Sequence, residues 1–135
     1  MGIYVDRGLT LAQAKETIKI EIEVWYGGKV LDVFDSSVLG TPHRYYCDES
    51  SQLRMLNGRV SNIPMELMCG LIPSQPDTDP VYQWKQHTAT ECGKVHQAYL
   101  TFSADAAQQR VTYLNQAEAA TSVLQIDAIY EAMFG

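Results

Sequence analysis

The sequence lacks the features that mark membrane and disulfide-stabilised proteins. No apolar run in its 135 residues approaches the ~20 residues that a bilayer-spanning helix needs. The N-terminus has no basic stretch followed by an apolar one, so we expect no secretory signal and synthesis in a cytoplasm. The cysteines are odd in number (Cys47, Cys69 and Cys92), which is not the pattern of a disulfide framework, and we expect reduced thiols.

Positive charge is also scarce. Ten Lys and Arg residues against 16 Asp and Glu residues give a formal net charge of −6, and the basic residues are scattered singly. A nucleic-acid partner requires clustered cations that displace counterions from phosphates, so the composition argues against one. With 46% hydrophobic and 19% charged residues the chain suits a packed globule of ordinary domain size. We predict a single domain over residues 10–135, preceded by an N-terminal arm over residues 1–9.

A capping box marks the start of the first predicted helix. Thr10 is followed three positions later by Gln13, and apolar residues then recur at helical spacing. Residues 18–24, however, read I-K-I-E-I-E-V, which is the alternation of a strand, and Gly27-Gly28 could turn that strand into a hairpin. These residues alone leave helix and hairpin open over residues 17–34.

The middle of the chain predicts a strand and two further helices. His43–Cys47 reads as a short strand, and Asp48 or Ser50 can cap the helix that follows it. Ile63 to Leu71 reads as another helix, with proline in the first turn where its missing N–H is tolerated. Three prolines in residues 72–80 predict a stiff loop. The apolar face of the helix after residue 48 is expected to comprise Leu53, Leu56 and Val60.

The strongest hairpin signal lies between residues 81 and 102. Val81–Thr90 and Lys94–Phe102 flank Glu91-Cys92-Gly93, whose glycine suits a three-residue turn. In that register His87 falls on the polar face, and we expect it to be exposed. The opposite face gathers four large apolar groups, which we expect to be buried: Tyr82, Trp84, Leu100 and Phe102.

A long helix is predicted from Ser103 to the end of the chain. Unbroken over residues 104–134, it would be about 46 Å long, far more than the ~14 Å radius of gyration of such a domain. We therefore predict that its later half packs against other chains. The alternative is a helix broken near Asn115 or Thr121-Ser122 that folds back on itself. The partner-binding residues predicted by the unbroken helix are Val123, Ile126, Ile129, Tyr130 and Met133. Together these elements predict an α+β fold, with helices around a small antiparallel hairpin or sheet and a long C-terminal helix.

No residue pattern completes a catalytic or metal site. Cys92 and His96 lie four positions apart and His87 could approach them, but zinc needs four ligands, or three with a water. Cys47 is followed by acidic residues, which raise the pKa of a thiol rather than activate it. Asp77 and Asp79 lack the rest of a calcium loop. We predict no catalytic residue, no metal and no cofactor.

Residues 33–60 resemble a known family. Their sequence, V-F-D-S-S-V-L-G-T-P-H-R-Y-Y-C-D-E-S-S-Q-L-R-M-L-N-G-R-V, is similar to a domain of unknown function found in bacteriophage tail-fibre and tail-associated proteins. Asp35, Arg54 and Met55 depart from the pattern of that family, and residues 62–80 do not align with it. The matching positions are Phe34, Ser36, Leu39, Gly40, His43, Tyr45, Gln52, Leu53, Leu56 and Gly58, then Trp84 and Ala106-Ala107-Gln108.

The resemblance implies a phage virion or tail-assembly origin and supplies no catalytic residues. It also favours the helix for residues 10–34, which we therefore predict. The implied function is a non-enzymatic structural component of a tail or baseplate, in one version joining fibre to tail. Its expected partners are other tail, baseplate or fibre proteins and further copies of itself, with no nucleic acid and no membrane. The alternatives are a tail-fibre assembly chaperone and a small receptor- or glycan-binding module that uses exposed aromatic residues.

Overall fold

The computed structural model describes residues 2–75 and 77–135 and confirms the α+β fold. Within these residues four strands form one antiparallel sheet in the order β1-β2-β3-β4. The helices are α1 (Ile3–Asp6), α2 (Leu11–Val30), α3 (Glu49–Ser61), α4 (Ala89–Ala119) and α5 (Val123–Phe134). The strands are β1 (Val33–Ser36), β2 (His43–Tyr46), β3 (Met65–Leu71) and β4 (Gln83–His87).

The chain divides into two compact units. Residues up to 28, together with residues 105–135, form the first unit, and residues 29–104 form the second. Helices α2 and α4 contribute residues to both units. The division of the chain into an arm over residues 1–9 and one domain over residues 10–135 stays a prediction.

Helix α2 resolves the conflict between helix and hairpin in favour of the helix. Thr10 and Gln13 form the expected capping box: the Thr10 N–H donates to Gln13 Oε1 (3.0 Å), and the Gln13 N–H donates to Thr10 Oγ1 (3.2 Å). In the alternating segment, the helix buries Ile18 and Ile22 and leaves Ile20 exposed. Residues four apart share a helix face whereas residues two apart do not, so half of the apparent strand face is solvated.

The C-terminal helix is broken, as the alternative predicted. Helix α4 ends at Ala119, and Ser122 caps α5 by accepting a hydrogen bond from the Gln125 N–H (3.3 Å). Ile126 and Ile129 are buried in the core of the first unit, and three neighbours are partly buried against it: Val123, Tyr130 and Met133. The prediction that these five residues form an uncovered face is therefore wrong, because the break lets them pack within their own chain.

A buried carboxylate joins the two ends of the first unit. Asp127 on α5 accepts hydrogen bonds from the Tyr4 N–H (2.7 Å) and the Val5 N–H (3.1 Å) of α1. The first N–H groups of a helix have no partner inside the helix, so a side chain from elsewhere in the chain satisfies them here. This contact fixes α1 on α5, and Tyr4 packs edge-on against Tyr130.

Replacing Asp127 with alanine is expected to destabilise the first unit by about 1–3 kcal/mol, because two buried N–H groups lose their acceptor. The measurement is urea unfolding followed by circular dichroism. Glu131→Ala, at an exposed position one turn further along α5, is the control and should change stability by less than about 0.5 kcal/mol. Equal losses for the two variants would contradict the capping role of Asp127.

In the second unit the sheet packs against α3 and the first half of α4. In its register Tyr45 pairs with Phe34 on one side and with Cys69 on the other, and Met65 pairs with His87. The apolar side chains of one sheet face and of both helices form a single cluster: Phe34, Tyr45, Cys47, Met55, Leu67, Cys69, Cys92, Val95 and Tyr99.

Strand β3 replaces the helix predicted over Ile63 to Leu71, and that prediction is wrong. Asn62 adopts a left-handed conformation (φ 54°), and the Ile63 N–H then closes the end of α3 on the Gly58 carbonyl (3.2 Å). The chain then runs between two strand partners, burying Leu67 and Cys69 and exposing Glu66. Hydrogen bonding on both edges outweighs the helical spacing of such a short segment.

The hairpin predicted over residues 81–102 is also wrong, because only its first half is a strand. Thr88 and Glu91 form a capping box, with the Thr88 N–H donating to Glu91 Oε1 (2.8 Å) and the Glu91 N–H donating to Thr88 Oγ1 (3.1 Å). Helix α4 starts there, and Ser103, the predicted cap of a later helix, lies inside it. The predicted exposures are reversed: Trp84 is 51% exposed and His87 is fully buried.

Helices α3 and α4 approach so closely at Gly58 that no side chain fits there. A Cβ at this position would lie 2.6 Å from the Cys92 Sγ, whereas a Cβ at Gly93 would lie 3.6 Å from its nearest neighbour. Gly58→Ala is expected to destabilise the protein by about 1–3 kcal/mol through overpacking. Gly93→Ala should stabilise it by about 0.5–1 kcal/mol, since alanine favours a helix interior. Thermal melts of both variants test this, and stabilisation by Gly58→Ala would contradict the close contact.

Candidate interaction surface

Helix α3 begins where its sequence places a cap. Asp48 accepts a hydrogen bond from the Ser51 N–H (3.3 Å), and the Gln52 side chain donates to the Cys47 carbonyl (2.8 Å). These bonds fix which face of α3 meets the core. That face carries small residues and one long apolar side chain: Ser51, Met55 and Gly58.

The opposite face of α3 is apolar and exposed. Its residues are Leu53 (58% exposed), Leu56 (38%) and Val60 (74%); together with Ile63 (44%), which lies just beyond the end of the helix, they are here called the α3 stripe. The prediction that Leu53, Leu56 and Val60 face the core is therefore wrong. These three residues follow one another at steps of three and four, the spacing by which one helix face meets another helix.

A groove runs beside the α3 stripe. Its volume is about 340 Å³, and its lining combines leucines of the stripe with polar groups: Glu49, Gln52, Leu53, Leu56 and His96. Arg59 donates from Nη1 to His96 Nδ1 (3.0 Å), which requires an unprotonated Nδ1 on that ring. Burial and the neighbouring guanidinium lower the pKa of His96. The surface is thus an apolar stripe with a cation and a carboxylate near its two ends.

Trp84 and Tyr46 are exposed aromatic residues of the second unit, and Trp84 is the more exposed of the two. The Arg54 guanidinium carbon lies 4.6 Å from the centre of the Trp84 ring, and Arg54 also donates to the Glu66 carbonyl (3.4 Å). A cation above one ring face already occupies that face of the indole. Trp84 is therefore partly engaged within its own chain.

A cavity of about 580 Å³ lies at one end of the sheet, beside residues of the loop that follows β3. His43 and Lys85 line it, together with Thr78 and Asp79 from the loop. His43 is buried, and its Nδ1 donates to the Thr41 carbonyl (2.9 Å). The cavity therefore combines apolar walls with a few polar side chains.

The buried pair Tyr45 and His87 lies next to that cavity. His87 Nδ1 is 2.8 Å from the Lys85 carbonyl, so the Tyr45 hydroxyl donates to His87 Nε2, also at 2.8 Å. Burial raises the pKa of Tyr45 and lowers the pKa of His87. Both groups are therefore held neutral and satisfy one another, which is the chemistry of a structural hydrogen bond.

The three cysteines are free and buried. Burial is the main cause that raises the pKa of each thiol, and for Cys47 the pKa rises to about 12 with a further contribution from Asp32 and Asp48. The predicted effect of acidic neighbours on Cys47 is confirmed, although burial is the larger cause. A nucleophilic cysteine needs a lowered pKa, so these thiols are in their unreactive form.

The candidate metal ligands do not meet in one place. His87 has both ring nitrogens engaged, whereas His96 bonds to Arg59 from the side of α4 near α3. Over residues 2–75 and 77–135, no group of three or more histidine, cysteine or acidic side chains could hold a metal ion. The side chains of Asp77 and Asp79 are exposed in the loop.

The residues that carry the phage-tail resemblance fall into two groups in the structure, one buried and one exposed. Phe34, His43 and Tyr45 are buried, and Gly40 adopts a left-handed conformation (φ 93°) that favours glycine. Leu53 and Leu56 of the motif, by contrast, belong to the exposed α3 stripe. The later matches lie apart from these, with Trp84 on β4 and Ala106-Ala107-Gln108 inside α4.

No protein-family model matches this chain, and neither does any curated protein or solved structure. Among the described helices, none combines the length and the apolar character that crossing a bilayer requires. The functional argument therefore depends on the resemblance of residues 33–60 and on the surface described above.

Stability is expected to fall as the pH drops below about 6.5, because buried His87 resists protonation. Its pKa is lowered from 6.5 in the folded chain, so between the two pKa values the unfolded chain binds more protons and unfolding becomes easier. The measurement is the urea midpoint at about pH 7.5 and about pH 5.5. Between these two pH values the urea midpoint of His87→Gln should fall less than that of the natural chain. The midpoint of His96→Gln should still show the part of the fall that His87 causes. An unchanged pH dependence in His87→Gln would contradict this assignment.

Proposed function

We propose that this protein is a non-enzymatic structural component of a bacteriophage tail or baseplate that acts through protein–protein contact. The observation that carries the proposal is the α3 stripe. It exposes four large apolar side chains in a row, and its leucines lie in the segment that resembles phage tail proteins. A contiguous apolar patch on a folded surface is typical of a binding surface.

The motif has both buried and exposed members, and this difference supports the proposal. Its buried members hold the β1–β2 turn and the sheet, which places α3 beside α4. Leu53 and Leu56 point away from that packing, and Leu53 is more than half exposed. A fold-determining role explains the buried positions of the motif, and a contact with another molecule explains the exposed ones.

The state of the titratable groups in the second unit also supports a structural role. Tyr45 and Cys47 have raised pKa values, and His87 is neutral and hydrogen-bonded on both nitrogens. Catalytic acids, bases and nucleophiles are tuned towards the working pH, whereas these groups are moved away from it.

A receptor- or glycan-binding module is the second candidate, and exposed Trp84 is the observation that favours it. Aromatic rings are common platforms for sugars and proteins because they bury a large area with few rotatable bonds. The guanidinium of Arg54 over the ring weighs against this candidate, since a ligand would have to share or displace it.

Mass spectrometry of purified virions of the phage that encodes the chain tests the structural role. The natural protein should be present, and Leu56→Glu, which places a charge in the α3 stripe, should reduce its amount at least about tenfold. Val24→Glu is the control, because Val24 is also apolar and exposed (64%, against 38% for Leu56) but lies on α2. Its incorporation should be normal.

Two results would contradict the structural role. If the natural protein is folded in infected cells but missing from virions, it acts as an assembly chaperone. If Leu56→Glu is incorporated as well as Val24→Glu, the α3 stripe is not the contact surface.

A further inference from the structure

We infer that the α3 stripe binds a second copy of this chain, with the two α3 helices packed antiparallel about a two-fold axis. The inference rests on the proposed function only in taking the stripe as a contact surface, and it names the partner. A two-fold contact uses the same patch on both copies, so the patch has to complement itself in shape and charge.

The apolar pattern fits such a pair. Leu53, Leu56 and Val60 lie on one face of α3 at the three- and four-residue steps that pack between two helices. An axis passing between Leu53 and Leu56 sets each Leu53 against the partner's Leu56. The four leucines then form a small apolar centre that neither copy can cover alone.

The charges of α3 decide the direction of the pairing. Glu49 precedes the stripe and Arg59 lies near its end, and both are exposed. About that axis, each Glu49 lies opposite Val60 and beside Arg59 of the partner. A parallel pairing would instead bring like charges together at both ends, and it would align the helix dipoles unfavourably. Among the described residues Glu49 forms no salt bridge, so its carboxylate is available to a partner.

The area buried between the two α3 helices determines how tightly the dimer is expected to associate. A helix of 13 residues is about 20 Å long, and its face buries well under the ~800 Å² per partner of a standard interface. The dimer is therefore weak and forms in proportion to concentration. A weak contact is detected best by trapping it covalently and by measuring association over a wide range of concentrations.

The first experiment traps the dimer under mild oxidation in an equal mixture of full-length Leu53→Cys and Leu56→Cys chains, because the two-fold axis sets residue 53 of one copy against residue 56 of the other. The three natural cysteines are buried, so the natural chain should stay unlinked. Ser61→Cys, exposed on the flank of α3 and distant from the axis, is the matched control. We expect a disulfide-linked dimer that joins residue 53 to residue 56, and at least about tenfold less dimer from Ser61→Cys. Equal yields from the mixture and from Ser61→Cys would overturn the inference.

The second experiment tests the direction of the pairing by sedimentation analysis of charge variants. Glu49→Arg and Arg59→Glu should each weaken association on the order of fivefold. The variant that carries both changes should recover most of that loss, because the pair is restored with its signs exchanged. If Arg59 acted only through its hydrogen bond with His96, the double variant would not recover. Losses that simply add in the double variant would therefore overturn the antiparallel arrangement.

The failure of this inference and the failure of the proposed function can be told apart. A chain that stays monomeric at every concentration and does not crosslink overturns the dimer, even where virion incorporation depends on Leu56. A chain that crosslinks between residues 53 and 56 but is absent from virions supports the dimer and overturns the structural role in the tail.

Discussion

The fold of the second unit depends on the reciprocal hydrogen bonds between Thr88 and Glu91. They satisfy two N–H groups at the start of α4, and strand β4 ends at His87, the residue before Thr88. Because α4 begins there, Cys92, Val95 and Tyr99 face the sheet and complete its core. The same helix continues through 31 residues and contributes Ala106 and Ala117 to the buried interior of the first unit. The capping interaction thus marks where α4 begins, and that start sets which of its residues face the sheet.

Local signals predicted the fold best where a cap and a helical pattern agreed. Thr10 with Gln13, and Asp48, mark the starts of α2 and α3 in the sequence as they do in the structure. The hairpin prediction is wrong because Thr88 and Glu91 have the T-x-x-E spacing of a capping box, which starts a helix where Gly93 suggested a turn. Segment 63–71 was mistaken because a short apolar run fits both periods, and only the neighbouring strands decide between them.

The candidate surface shows why burial is harder to predict than helix formation. Helix α3 has two faces, and the more apolar one is exposed. The buried face carries Ser51 and Gly58, which count little in any hydrophobicity pattern. Gly58 is buried because α3 and α4 come too close together at Cys92 for a larger side chain. Which face of α3 is buried depends on how closely α3 approaches α4, and a single sequence does not encode that distance locally.

The three buried thiols bear on the environments in which this protein can work. Thiol–disulfide exchange requires a thiolate with access to a second sulfur, and burial removes both the charge and the access. The covalent structure of the chain is therefore indifferent to the redox potential around it. In the role proposed above, the protein is made in a reducing cytoplasm and then persists in aerated surroundings, and its interior would undergo no chemical change between the two.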